Sequence, residues 1–187
     1  MSLIVHINGW PGCGKLTIAR ILAKRLAGKL LDNHTLLNPA EALFERSDPL
    51  HGSLRKAVRV ATLDHAAQLR GGVPLVFTDA LSDDPTDQAM FDDYRVLAAR
   101  RQARLVSVML ECEHDENVRR LASPGRAELY KLTRPDFLAE LRAQYRLLRP
   151  QGIECIEIDI SRMSAAEAAA AIEAALRTEE SSRAIAD

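Results

Sequence analysis

The sequence predicts an α/β fold, a doubly wound parallel sheet with helices on both faces. Three observations predict it. Short strand-like runs at 3–7, 73–78, 104–110 and 154–158 alternate with helical patterns along the chain. Leu75-Val76-Phe77 is apolar at consecutive positions, which suits a strand covered on both sides. The stretch Gly9-Trp10-Pro11-Gly12-Cys13-Gly14-Lys15 lies between the first strand-like run and the first helical pattern. Strand, glycine-rich loop, then helix is the context of a phosphate-binding P-loop.

The order of elements runs from the N-terminus. Leu3-Ile4-Val5-His6-Ile7 is the first strand, and Thr17 to Leu26 puts Ile18, Ile21, Leu22 and Leu26 on one helical face before Gly28 stops it. Lys29-Leu30-Leu31 is a short strand ending at Asp32-Asn33-His34. Asn38-Pro39-Ala40-Glu41 reads as a helix start, with a cap residue and Pro at the first position. A longer helix is expected over about 53–70, closed by Gly71-Gly72. Asp84-Pro85 starts another that runs to about Arg101. A short helix from about His114, the break Ser123-Pro124-Gly125-Arg126, and a helix over 135–148 precede the fifth strand. Ser164 and Glu167 form a capping box for a last, alanine-rich helix. Residues 1–177 are expected to form one domain with a lid at about 117–134, and 178–187 a polar tail that frays.

Composition excludes several classes. A chain of 187 residues with 47% hydrophobic content suits one globular domain. A net charge of −1 gives no global attraction to nucleic acid or an anionic membrane. Aromatics at 4% leave little for base-stacking platforms. Cys13, Cys112 and Cys155 are far apart and form no C-x-x-C pair, which points to a reducing compartment. No apolar run reaches the length of a membrane span, and no charged region precedes the first strand as in a signal peptide. A cytoplasmic enzyme acting on a small molecule, with no nucleic acid or membrane partner, is the expectation; oligomeric state is not readable.

The glycine-rich stretch carries the chemistry. Gly9, Gly12 and Gly14 let consecutive backbone N–H groups turn inward as an anion nest. The helix start adds unsatisfied N–H donors and a partial positive charge of roughly half a unit. Lys15 adds a full charge that reaches the outer phosphates, and Pro11, Cys13, Leu16 and Thr17 complete the binding stretch. The pattern G-x-x-x-x-G-K-[S/T] fails at Leu16, where a hydroxyl normally holds a metal. Thr17 is about 100° further round the helix. It is better placed for an inner phosphate than for the missing ligand.

Other candidates sit at strand ends. Asp32 is either a base that orients or deprotonates a hydroxyl attacking a γ-phosphate, or a turn residue. His34 shares its location as a weaker candidate. Asp79 closes the third strand, where an acid either holds Mg²⁺ in the Walker B arrangement or caps the next turn or helix. Arg119, Arg120, Arg126, Lys131 and Arg134 form either a basic cover over a triphosphate or a solvated face. Within that segment Arg126 is the catalytic candidate, and Arg120 and Lys131 bind the nucleotide. Arg55 and Arg59 share a helix face and are expected to be solvated rather than to meet an anionic acceptor. Cys13, at a helix N-terminus, is either a sensitised thiol or a small residue filling a tight loop.

On G-W-P-G-C-G-K at Gly9–Lys15, Asp32, Asp79 and E-N-V-R-R-L-A-S-P-G-R at Glu116–Arg126, the chain resembles small P-loop kinases. The group is that of shikimate kinase, gluconate kinase and chloramphenicol phosphotransferase, within the nucleoside-monophosphate-kinase-like fold. The resemblance implies a three-layer α/β/α P-loop fold, a five-stranded parallel sheet in order 2-3-1-4-5 and a short helical lid. It further implies ATP- and Mg²⁺-dependent phosphorylation of a small-molecule acceptor, and it puts Ser161-Arg162 against adenine. The Asp-x-Asp pair of shikimate kinases is Asp32-Asn33-His34 here, and their glycine-rich turn is Thr78-Asp79-Ala80, so shikimate is not assigned. The alternative is a nucleotide-binding regulatory protein with little or no transfer, motivated by Leu16. A GTPase is not supported, since neither N-K-x-D nor D-x-x-G occurs.

Overall fold

The computed structural model describes residues 2–122 and 134–186, with side chains described as far as 178. Five strands form one all-parallel sheet: β1 (Ser2–Gly9), β2 (Lys29–Asp32), β3 (Leu75–Asp79), β4 (Ala103–Glu111) and β5 (Glu154–Asp159). Their order is β2-β3-β1-β4-β5, as expected. Chain direction and crossover order then force the C-terminal ends of β1, β2 and β3 to one edge.

Helices cover both faces. On one, α1 (Lys15–Arg25) and α7 (Ala165–Ala186) pack Ile18, Leu22, Ile172 and Leu176 over Val5, Ile7, Val76 and Val108. On the other, α3 (Pro49–Ala67) and α4 (Pro85–Arg101) pack Leu63, Phe91, Tyr94 and Leu97 over Ile4, Leu75 and Phe77. A smaller cluster joins Trp10 and Met109 to Leu121 of α5 (His114–Leu121) and Leu138 of α6 (Pro135–Gln144). Two-sided burial explains why β1 and β3 read as continuous apolar runs rather than alternating ones. Full burial of a Leu, Ile or Phe contributes about 1.5–3 kcal/mol, so the core rests on many such residues rather than on any one.

Several boundaries differ from expectation, each for a local reason. The second helix, α2 (Asn33–Leu43), starts at the end of β2 and not at Asn38. Asp32 caps it by accepting the His34 N–H at 3.0 Å, and Leu36, Leu37 and Ala40 are buried. Pro39 therefore lies inside the helix. The cap and the buried face outweigh a proline penalty of about 3 kcal/mol. Likewise α3 begins at Pro49, because Asp48 accepts the Leu50 N–H at 2.8 Å. Helix α6 ends at Gln144 instead of 148: the chain turns away so that Ser82 bridges Leu147 and the Leu148 N–H meets the Leu81 carbonyl at 3.0 Å. The capping box is present, with reciprocal Ser164 and Glu167 bonds of 2.8 and 3.2 Å. Helix α7 carries on through Thr178 to Ala186. Among the described residues no helix is long and apolar enough to cross a membrane.

Candidate active site

The P-loop is built by backbone shape. Gly12 and Gly14 have φ of +90° and +103°, a region that L side chains rarely adopt. A Cβ at Gly12 would also come within 2.8 Å of Leu121 Cδ1 and 2.9 Å of Asn117 Nδ2. Gly14 is the N-cap of α1 and no side chain caps that end, so its first N–H groups are left facing the loop. Lys15 arches back, with Nζ 2.6 Å from the Gly9 carbonyl and 2.9 Å from the Trp10 carbonyl. An incoming phosphate competes with those carbonyls for the ammonium. At 4 Å and an effective dielectric of roughly 20, a full negative charge interacts by about 4 kcal/mol, before desolvation.

Two helices from elsewhere in the chain hold the loop. Asn117 Nδ2 donates to the Pro11 carbonyl at 2.9 Å, and its Oδ1 accepts from Arg142 at 3.2 Å. Arg142 also lies over the Trp10 ring, 5.6 Å from its centroid. Arg120 donates to four partners: Glu116 at 2.6 Å and the carbonyls of Cys13 at 3.0 Å, Ile160 at 2.9 Å and Met163 at 3.4 Å. Arg120 thus ties the P-loop to the turn after β5, where Arg162 is exposed. Hydrogen bonds from Arg119 and Arg120 hold the Glu116 carboxyl at about 2, below the usual range. Arg119 itself is paired with Glu116 at the surface. Arg126 and Lys131 lie outside the described residues. Cys13 is fully buried against Gly9, 4.0 Å from Lys15 Nζ, and matches the reading of a small residue filling a tight loop.

A cavity of about 800 Å³ opens at the carboxyl edge of the sheet. It is lined by Pro11, Gly12, Gly14, Lys15, Leu16 and Thr17 following β1, by Asp32 and His34 at the end of β2 and by Arg55 of α3, with Asp79 ending β3, the strand between β1 and β2. Arg134, which pairs with Asp136, lines it as well, whereas Gly9, Cys13, Arg120 and Arg162 do not. Asp32 spends both oxygens on helix α2: Oδ1 accepts from the His34 N–H and Oδ2 from Thr35 Oγ at 2.9 Å. It is a cap that also faces the cavity.

Asp79 is 1% exposed. Its Oδ2 accepts from Tyr94 Oη at 2.5 Å and from His6 Nε2 at 3.1 Å. Burial pushes its carboxyl up, but the His6 ring, the Arg59 charge and the Tyr94 hydroxyl together hold it below the usual carboxylate range. The same burial and the Asp79 charge drive the Tyr94 phenol well above its ordinary value.

Arg55 and Arg59 are not a solvated pair. Arg59 is 8% exposed; it bonds Asp93 at 2.7 Å and the Met90 carbonyl at 2.8 Å, and lies 4.8 Å from the centroid of the Tyr94 ring. The side of α3 that docks against α4 carries it in, and these α4 partners satisfy its charge. Arg55 is half-buried at the cavity wall, with Met90 Sδ 3.9 Å from its Nη2. Desolvation lowers its pKa, opposed by the Asp79 carboxylate. Beyond it Glu41 pairs with Arg46 at 2.8 Å and His51 at 3.6 Å.

Sequence reasoning missed His6 and Tyr94. The available signal was a histidine in the middle of a strand apolar on both faces, since a buried ring nitrogen needs a polar partner.

As to a divalent ion, the donor set offers hard oxygen. Asp79 presents one carboxylate oxygen that accepts no hydrogen bond from a described residue, and Leu16 presents none. No group of three or more His, Cys, Asp or Glu side chains converges among the described residues. That set fits an ion such as Mg²⁺, which takes one or two carboxylates and completes its shell with substrate phosphates and water.

Comparison with known proteins agrees with this geometry. A family model described as an AAA domain, AAA_18, matches residues 5–131. The chain belongs to this P-loop family. Three solved structures share its fold. A sugar kinase from Janibacter sp. HTCC2649 is 20% identical with a TM-score of 0.61, covering 95% of this chain and 94% of that one. A gluconokinase from Sinorhizobium meliloti 1021 is 14% identical with a TM-score of 0.57, over 95% and 97%. A shikimate kinase from Acinetobacter baumannii, in complex with shikimate, is 17% identical with a TM-score of 0.57, over 96% and 95%. No curated protein sequence matches this chain. These likenesses establish a kinase-like P-loop fold of the group that the motifs resemble.

Proposed function

We infer that this P-loop protein is an ATP- and Mg²⁺-dependent phosphotransferase that moves the γ-phosphate of ATP to a hydroxyl of a small acceptor. The observation that carries the reading is one cavity shared by the P-loop with Lys15 on the β1 side and by Asp32, His34 and Arg55 on the β2 side, with Asp79 on the strand between. A nucleotide bound by its phosphates on the β1 side points its terminal phosphate toward the β2 side.

In this reading the anion nest of Gly9–Thr17 binds the phosphates, and Lys15 leaves the Gly9 and Trp10 carbonyls to neutralise the transferring group. Asp32, already fixed by its capping bonds, orients the acceptor hydroxyl and takes its proton as that oxygen bonds to phosphorus. The bond from phosphorus to the bridging oxygen breaks, and ADP leaves. Asp79 is the residue that would hold Mg²⁺, whose chemistry is to screen the phosphate oxygens. Arg120 steadies the loop, Arg162 lies toward the base, and Arg126 and Lys131 belong to the basic lid. Arg55 contacts the acceptor.

A nucleotide-binding protein without transfer is the second reading, favoured by Leu16 alone. One assay separates the two: ADP release across a panel of sugars, nucleosides, hydroxy acids and aminoglycoside-type compounds. Acceptor-dependent ADP release that vanishes in Lys15→Ala supports the kinase. ATP binding with no acceptor-dependent release supports the second reading.

A further inference from the structure

The side chains around Asp79 form a buried cluster that the transfer reaction does not itself use. His6 sits in the middle of β1, in register with Phe77 of β3 and Ser107 of β4. Its ring packs edge-on against Phe91 at 5.1 Å and tilted on Tyr94 at 4.9 Å. Nε2 reaches Asp79 Oδ2, while Nδ1 has no partner among the described residues. Tyr94 gives its hydroxyl to the same Oδ2, and Arg59 fixes Tyr94 from behind, Nη1 lying 3.4 Å from that hydroxyl.

Two donors therefore converge on one oxygen of one carboxylate. The other oxygen, Oδ1, accepts nothing from a described residue and is not among the buried atoms left without a partner. Asp79 lines the cavity, and Oδ1 is the carboxylate oxygen that these two donors leave available to it. A carboxyl group on a free terminal torsion turns broadly, and a ligand that turns loses geometry. With Leu16 supplying no hydroxyl, the orientation of this one carboxylate matters more than it does where a second protein ligand is present. Groups that orient a metal-binding carboxylate by hydrogen bonds typically change metal affinity by about 10–100-fold when removed.

The geometry points to His6 and Tyr94 as positioning residues that clamp Asp79 Oδ2 so that Oδ1 alone is presented to a divalent ion beside the P-loop. This rests on the kinase reading above, in which Asp79 holds that ion. Flanked by Val5 and Ile7, the His6 ring makes its one hydrogen bond among the described residues to this carboxylate.

The test uses the whole chain and three variants: Tyr94→Phe, which removes only the hydroxyl; His6→Leu, which removes the ring donor; and His6→Gln, which returns an N–H near the Nε2 position. Mn²⁺ affinity in the presence of ADP is read by electron paramagnetic resonance, and ADP affinity in EDTA by calorimetry. The expected result is a Mn²⁺ affinity about 10–100-fold weaker in Tyr94→Phe and His6→Leu. ADP binding in EDTA stays within about twofold, and His6→Gln regains most of the Mn²⁺ affinity. Unchanged Mn²⁺ affinity in Tyr94→Phe overturns the clamp. So does a loss of metal-free ADP binding by the same factor, because the cluster then only supports the fold. If His6→Leu does not fold, Tyr94→Phe decides alone. Failure of the wild-type protein to bind Mn²⁺ with ADP would instead refute the kinase reading, and the clamp with it, before any variant is made.

Discussion

The two walls of the cavity are made in different ways. The wall assigned to the nucleotide comes from one nine-residue stretch, Gly9 to Thr17, of which Pro11, Gly12 and Gly14 to Thr17 line the cavity, and its role rests on backbone shape and one lysine. The facing wall is a set of side chains from Asp32, His34, Glu41, His51 and Arg55, carried by one strand end and two helices. A site made of backbone has a short sequence signature, because glycine at φ near +90° has few substitutes. A site made of side chains has none, because its spacing is set by how helices pack.

That contrast can be broken by substitution. The largest effect is expected from Lys15→Ala, with acceptor-dependent ADP release falling by about 10³-fold in kcat/KM, on the scale of lost transition-state charge stabilisation. Arg55→Ala should act only on the other wall. Removing a charge-assisted contact of about 1.5–3 kcal/mol raises acceptor KM roughly 10–100-fold, with ATP KM unchanged. If both KM values rise together, the walls are not separate sites.

Gly12→Ala sharpens the comparison on the stability side. The backbone is strained for any L residue there and the new methyl meets Leu121 and Asn117, so thermal denaturation should show a loss of about 1–3 kcal/mol. Gly14→Ala carries the same backbone strain, but its nearest neighbour is Arg120 Nη1 at 3.9 Å, so it should cost less. Leu16→Ser should tighten Mg²⁺ dependence a few-fold, about 1 kcal/mol, because one hydroxyl is added to a shell made mostly of phosphate and water. Unchanged Mg²⁺ dependence would contradict the role given to that position.

The smallest effect concerns pH. The folded protein holds the Asp79 carboxyl below its ordinary value. Its contribution to stability is therefore complete above the unfolded value, about 3.9, and is lost as pH falls through the folded one. Melting temperature should drop more steeply below about pH 4 in the wild-type protein than in Asp79→Asn.

The same contrast decides how much is legible in the sequence. Strands, helices on both faces and the P-loop are readable because periodicity, glycine placement and strand–loop–helix order are local, whereas the sheet order follows only from the resemblance to small P-loop kinases. The start of α2 is misplaced by sequence because Asn38-Pro39 imitates a helix start, whereas Asp32 has already opened the helix and buried Leu36 and Leu37. The i, i+4 spacing of Arg55 and Arg59 reads as surface. Only the docking of α3 beside α4 shows that Asp93, Tyr94 and Met90 receive Arg59. Asp79 meets His6 from 73 residues away and Tyr94 from 15. No local pattern encodes such a contact.

Calorimetric titration of MgATP into wild-type, Lys15→Ala and Arg55→Ala protein tests the division most directly. The account predicts that Lys15→Ala weakens binding by more than about tenfold, in keeping with a charged contact of about 1.5–3 kcal/mol, while Arg55→Ala stays within about twofold of wild type. Equal losses in both variants, or a loss confined to Arg55→Ala, would contradict it.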